Sequence, residues 1–176
     1  MEEKRAFIRI PTRLAGYLRL LADPEEIQRF RETPYLGGGS GLCHDPREAG
    51  MSEALHTMLC SINAKLDMLL SMRSRDELTV DFPVSMDIVE ISGAGLRFLS
   101  SEDLPMEQHV EAVIVLSRFP LRMVGAVGRV LRQEAQSDGQ MVYALDFTRI
   151  RERDLESIVQ FVFHSQRDDL HGIKWD

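Results

Sequence analysis

The chain has 176 residues, of which 44% are hydrophobic and 28% charged, and these values are ordinary for one soluble globular domain. Its net charge of −7 argues against broad binding to DNA or RNA, because such binding requires a basic face. The charged start, and the lack of an apolar run of about 20 residues, predict a cytoplasmic protein without membrane insertion.

The first predicted elements are a strand and a short helix. Residues 13–21 alternate loosely between polar and apolar side chains, which is typical of a strand. Asp23 and Pro24 then predict the N-cap and first turn of a helix that runs to about Arg31. The glycine-rich residues 37–41 predict a break after this helix.

A long helix is predicted next. Asp45 and Glu48 have the spacing of a capping box, and Ser52 offers a second start for a helix that ends near Arg73. Five apolar residues along it follow the four-three spacing of a heptad seam: Leu55, Leu59, Ile62, Leu66 and Leu69. The seam could pack on the chain's own strands or C-terminal helix, but an inserted arm with this spacing favours self-association.

The rest of the chain is mostly strand-like and ends in a helix. Short turns separate five segments with alternating or β-branched residues, which favours an antiparallel barrel or sandwich. An apolar stripe through Leu155, Ile158 and Val162 predicts the final helix. The five predicted strands are 78–92, 95–100, 110–118, 121–133 and 140–150.

Known catalytic patterns are missing from the sequence, so we expect a binding protein rather than an enzyme. Ser92 does not lie in a GxSxG elbow, and the histidines do not have the HExxH spacing. His56 and Cys60 share a helix face and could form a zinc site with Cys43 and His44. Because this spacing fits no familiar zinc pattern, a packed thiol beside a surface imidazole is the preferred interpretation, and we predict no metal and no cofactor.

Two short motifs are candidates for ligand binding. Lys4, Arg5, Arg9 and Arg13 form a basic cluster within the first thirteen residues. The guanidinium groups of Arg5 and Arg9, in KRAFIRIP, are planar forks of donors that suit phosphates and guanine edges. At a predicted turn between strands, a serine could hydrogen-bond a ligand, and two glycines permit positive φ or close backbone approach. This second motif consists of Glu90, Ser92, Gly93 and Gly95. Taken singly, the arginines could be merely solvated and the turn merely a turn.

Together, and in this order, the two motifs resemble those of the PilZ domain family. Arg5 and Arg9 match its RxxxR motif, while Ser92 and Gly95 match its [D/N]xSxxG motif, in which Glu90 takes the place of Asp or Asn. The resemblance covers about residues 4–21 and 77–168. It implies a six-stranded antiparallel barrel in which the arginines bind the guanine and phosphates of cyclic di-GMP. It also implies that the serine-motif residues hold the other side of this ligand.

The insertion also has a counterpart in the family. Residues of about 22–76 interrupt the barrel and resemble a PilZ subtype that assembles into tetramers through long helices, some members of which lack ligand binding. The predicted protein is therefore one domain, 1–176, mainly β, with an inserted long helix and a C-terminal helix. It forms a homo-oligomer, for which a tetramer is one candidate size, and acts on an unknown downstream protein. Two functions follow: a self-associating cyclic di-GMP receptor, or an oligomeric adaptor that binds no nucleotide.

Overall fold

The computed structural model describes residues 7–30, 50–118, 121–135 and 141–172, and their six strands close into an antiparallel β-barrel. Around the barrel the strand order is β1-β2-β3-β6-β5-β4. The predicted fold class, a mainly β six-stranded barrel with an inserted long helix and a C-terminal helix, is confirmed. The elements are β1 Ile10–Leu20, α1 Glu53–Asp81, β2 Val84–Ser92, β3 Gly95–Ser100, β4 His109–Arg118, β5 Leu121–Ala135, β6 Met141–Ile150 and α2 Glu152–Gly172.

The barrel interior is filled by alternate residues of the strands, because successive side chains of a strand point to opposite faces. Phe98 and Tyr143 stack inside it with ring centroids 5.4 Å apart. The buried Tyr143 hydroxyl donates to the carbonyl of Glu102 and accepts from the amide of Leu104. Ile158 of α2 joins the same core, so the C-terminal helix helps to enclose the barrel.

Helix α1 begins where the second predicted start lies but ends later than expected. Ser52 is its N-cap, and its side chain accepts a hydrogen bond from the amide of Leu55. Residues 78–81 were predicted to belong to a strand, but they form the last turn of this helix. Leu78 and Phe82 are both buried in one hydrophobic cluster at the C-terminal end of α1, which we call its foot. Their packing outweighs the strand preference of residues such as Val80.

The segment 22–30, which we call the strap, is not the helix predicted from Asp23. The Asp23 side chain accepts from the amide of Glu25, but the helical turn does not continue. Instead, the amides of Arg29 and Phe30 donate to the carboxylate of Glu111 on β4, at 3.0 and 2.8 Å. These amides would bond to carbonyls of the preceding turn in a helix, so the contact with the barrel replaces the helical hydrogen bonds.

Further arginines hold the carbonyl side of the strap. Arg149 donates to the carbonyl of Glu26, and Arg151 donates to the carbonyl of Phe30. Arg19 of β1 bonds to the strap at Glu26 and, in the barrel, to the fully buried Glu111 at 2.7 Å. Burial disfavours the charged form of Arg19, but hydrogen bonds and charges from the two glutamates outweigh it and raise the pKa of Arg19. The strap is therefore fastened to the barrel by the buried Arg19 and Glu111 and by the less buried Arg149 and Arg151.

A second hydrophobic cluster lies on the outer face of β1, β4 and β5. Val113 of β4 is paired with Gly125 of β5, and the ring of Phe30 rests on this glycine, where a Cβ atom would lie 2.5 Å from the ring. Leu78 and Phe82 complete the cluster from the foot of α1. The two sides of the insertion, the strap and the end of α1, therefore meet on one wall of the barrel.

Among the described residues, neither helix combines the length and the apolar character needed to cross a bilayer.

Candidate functional site

The serine motif forms the tight hairpin turn between β2 and β3. Ser92 and Gly95 are a register pair, with Gly93 and Ala94 as the turn residues. The Ser92 hydroxyl donates to the carbonyl of Gly95 at 3.1 Å and accepts from the amide of Ala94 at 3.3 Å. Ser92 is only 2% exposed. The hydroxyl that the sequence predicts to bind a ligand therefore makes its hydrogen bonds within the turn in this structure.

The two glycines of this motif are required for close packing rather than for positive φ. Among the described glycines, Gly50 alone has a positive φ, at 62°. A Cβ atom at Gly93 would lie 2.5 Å from the ring of Phe7, and one at Gly95 would collide with the carbonyl oxygen of Leu145. Because Gly93 has no side chain, the Phe7 ring packs directly against it, and this contact holds the residues just before β1 against the hairpin.

This contact brings part of the first motif to the second. Nη1 of Arg9 lies 3.4 Å from Oε1 of Glu90, although the two residues are 81 positions apart. The other carboxylate oxygen of Glu90 lies 3.8 Å from Nη1 of Arg97, its register partner on β3. Arg97 in turn pairs with Glu134 of β5 at 3.1 Å. Arginines and glutamates therefore alternate along one row on the barrel surface.

A cavity of about 500 Å³ opens beside this row. Its lining includes the row itself together with Gly95 and Asp146, so it combines two cationic with three acidic side chains. Sequence reasoning missed Arg97, Glu134 and Asp146. The alternation of β3 could have placed Arg97 on the outer face, between the inward residues Leu96 and Phe98. Its partners on β5 and β6 depend on strand order, which no local pattern reveals.

Other predicted site residues are only partly described. Lys4 and Arg5, and also Cys43 and His44, lie outside the described residues. His56 and Cys60 do share a helix face, with Sγ and Nε2 3.8 Å apart. In the part of the chain that the structure describes, no three His, Cys, Asp or Glu side chains are grouped so as to hold a metal ion.

The heptad seam of α1 is largely exposed. Leu59 is half-buried, while the other four seam residues expose between 43% and 63% of their surface. Met58, Met68 and Met72 are exposed as well. The described part of the barrel therefore leaves this face uncovered and contacts α1 at its foot, through Leu78. The seam residues are Leu55, Leu59, Ile62, Leu66 and Leu69.

The closed barrel, the C-terminal helix and the serine-motif hairpin define a small six-stranded β-barrel domain. A family model, described as the PilZ domain, matches residues 65–164, which is more than half of the chain. The chain therefore belongs to the PilZ domain family. Comparison with curated proteins found no match.

Solved structures agree with this fold. One, from Xanthomonas campestris, is described as a tetrameric PilZ domain self-assembled through an unusual helical bundle. It is 16% identical with a TM-score of 0.54, and the match covers 94% of this chain and 92% of that one. The Bacillus subtilis inhibitor of motility is 12% identical with a TM-score of 0.53, over 94% of this chain. The chain spans about half of that protein, since the match covers 53% of it.

Proposed function

We propose that this protein is a cytoplasmic cyclic di-GMP receptor that self-associates through α1 and signals to a downstream protein. The observation that carries the proposal is the meeting of the two motifs. Arg9 of the arginine motif lies 3.4 Å from Glu90 of the serine motif, at the edge of one cavity. PilZ domains act by binding, so the proposed role involves no catalysis.

The cavity has a chemistry that suits this ligand. Cyclic di-GMP carries two phosphates and two guanines, and arginine forks can bind both the phosphates and the acceptor edge of guanine. Carboxylates such as those of Glu90 and Asp146 can accept hydrogen bonds from the guanine N–H groups. The volume of about 500 Å³ falls within the usual range for small-ligand sites. Lys4 and Arg5 would add positive charge from the segment before Arg9.

The decisive measurement is isothermal titration of the purified protein with cyclic di-GMP, with cyclic di-AMP as the control. We expect selective binding with a Kd of about 1 μM or tighter. This outcome would also show that Glu90 can replace the shorter Asp or Asn of the motif. The absence of measurable binding at ligand concentrations of tens of micromolar would contradict the receptor function.

A second function, an oligomeric adaptor that binds no nucleotide, has its own support. Glu90 already pairs with both Arg9 and Arg97, and the Ser92 hydroxyl is engaged within its turn. A thermal melt separates the two functions, because a ligand that binds only the native state raises the melting temperature. An adaptor would melt at the same temperature with and without cyclic di-GMP.

Arg9→Ala is expected to weaken cyclic di-GMP binding at least about tenfold, since a hydrogen bond to a charged group is worth roughly 1.5–3 kcal/mol. The fold should persist, because the Arg9 side chain is 49% exposed. Arg13→Ala is a matched control, since Arg13 is exposed on β1 and does not line the cavity. The site is wrongly assigned if Arg9→Ala and the control bind alike.

Self-association rests on the exposed seam. A helix with this much exposed leucine and methionine requires a partner, and large exposed apolar patches mark interaction sites. The seam has Leu59 and Leu66 at a positions and Leu55, Ile62 and Leu69 at d positions, so it offers a continuous apolar stripe on which copies of α1 can pack. The exposed Met58 and Met72 flank this stripe and would add apolar surface to the interface. The fold shared with the tetrameric Xanthomonas protein supports a tetramer as the expected size.

A further inference from the structure

Arg97 lines the same cavity as Arg9. We propose that Arg97 is a further ligand-binding residue, which binds a phosphate of the dinucleotide, and that Glu134 occupies its guanidinium while the ligand is absent. This inference rests on the proposed receptor function, and it assigns a role to a residue outside both sequence motifs.

The backbone of Arg97 is held more firmly than that of Arg9. Arg97 pairs with Glu90 of β2 on one side and with Ala144 of β6 on the other, and its chain neighbours Leu96 and Phe98 are buried. A side chain on a rigid strand is pre-positioned, so less freedom is lost when it binds a ligand. Arg9 instead precedes β1 and is held there through its ion pair with Glu90.

The space next to Arg97 is open because its partner on β6 is small. Ala144 is the register partner of Arg97, lines the cavity and carries only a methyl group. A long side chain at this position would fill the groove between β3 and β5. Arg97 itself keeps 37% of its side chain exposed, so it can be reached from the cavity.

The present partners of Arg97 are carboxylates, which like a phosphate offer two anionic oxygens to an arginine guanidinium. Nη2 lies 3.1 Å from Oε2 of Glu134, and Nη1 lies 3.8 Å from Oε2 of Glu90. Glu134 is 56% exposed, and exposed ion pairs are weak, typically about 0.2–1 kcal/mol. A phosphate can therefore displace Glu134 with little loss, and Glu134 acts as a weak internal competitor.

The test compares isothermal titrations of cyclic di-GMP into wild type, Arg97→Ala and Glu134→Gln, with Arg13→Ala as the control. Arg97→Ala removes the guanidinium and should weaken binding about tenfold or more. Glu134→Gln removes the competing charge and should tighten binding by about two- to fivefold. Arg97→Lys keeps the charge without the fork and should bind with intermediate affinity. Added salt should weaken wild type more steeply than Arg97→Ala, because the variant has lost one screened charge contact.

The outcomes separate this inference from the function beneath it. If wild type binds and Arg97→Ala binds equally well, the role of Arg97 is wrong while the receptor function stands. If Glu134→Gln binds more weakly than wild type, Glu134 is not a competitor and that part of the inference is overturned. If wild type shows no binding of cyclic di-GMP, the receptor function and this inference are overturned together.

Discussion

Glu111→Gln is expected to destabilise the protein by about 3–5 kcal/mol, the usual loss when one partner of a buried ion pair is removed. The Glu111 carboxylate is fully buried and accepts hydrogen bonds from Arg19 and from the amides of Arg29 and Phe30. Glutamine has the same shape, but its NH₂ group would face these donors. Arg19, whose side chain is 7% exposed, would lose the buried one of its two counter-ions and keep only the part-exposed Glu26. Since small domains have only about 5–15 kcal/mol of stability in total, this loss is large.

Urea unfolding followed by circular dichroism measures this change. Glu107→Gln is the matched control, because Glu107 pairs with Arg129 at 2.9 Å but is 62% exposed, and such pairs contribute about 0–1 kcal/mol. In the Glu111 variant trypsin should also cleave faster after Arg29, since the strap amides have lost one of their two acceptor oxygens. Equal midpoints for the two variants would show that Glu111 does not fasten the strap.

Ile62→Asp is expected to convert the assembly into single chains. Ile62 is 43% exposed at the centre of the seam, and association would bring the new carboxylates of all copies together in an apolar interface. The barrel should keep its fold, because the seam lies outside both hydrophobic clusters of the described residues.

Size-exclusion chromatography with light scattering provides the measurement. Wild type should have the mass of about four chains of 20.1 kDa each, and Ile62→Asp that of one. Ala64→Asp adds the same charge to the opposite, exposed side of α1 and should leave the assembly intact. A wild type that elutes as one chain, or an Ile62 variant of unchanged size, would contradict self-association through the seam.

The amino-acid sequence was sufficient to predict an antiparallel barrel or sandwich and the placement of most strands, and the resemblance to the PilZ family implied the six-stranded barrel. Strand alternation and helical spacing are local patterns, so β3, β4 and β5 were predicted to within about two residues at each end. The heptad seam of α1 could be recognised from its four-three spacing, and Arg9 and Glu90 from the two short motifs that contain them.

Contacts between distant residues had to come from the tertiary structure. The strap is extended because Glu111, more than 80 positions away, accepts its amides, although Asp23 and Pro24 favour a helix locally. Helix α1 extends past its predicted end because the side chain of Leu78 is buried against the barrel. Arg97 joins the candidate site through the register between β2 and β3. Local propensities contribute less than about 1 kcal/mol per residue. Burial of a large apolar side chain and a hydrogen bond to a charged group each contribute roughly 1.5–3 kcal/mol, so contacts with the barrel outweigh the local preferences at these positions.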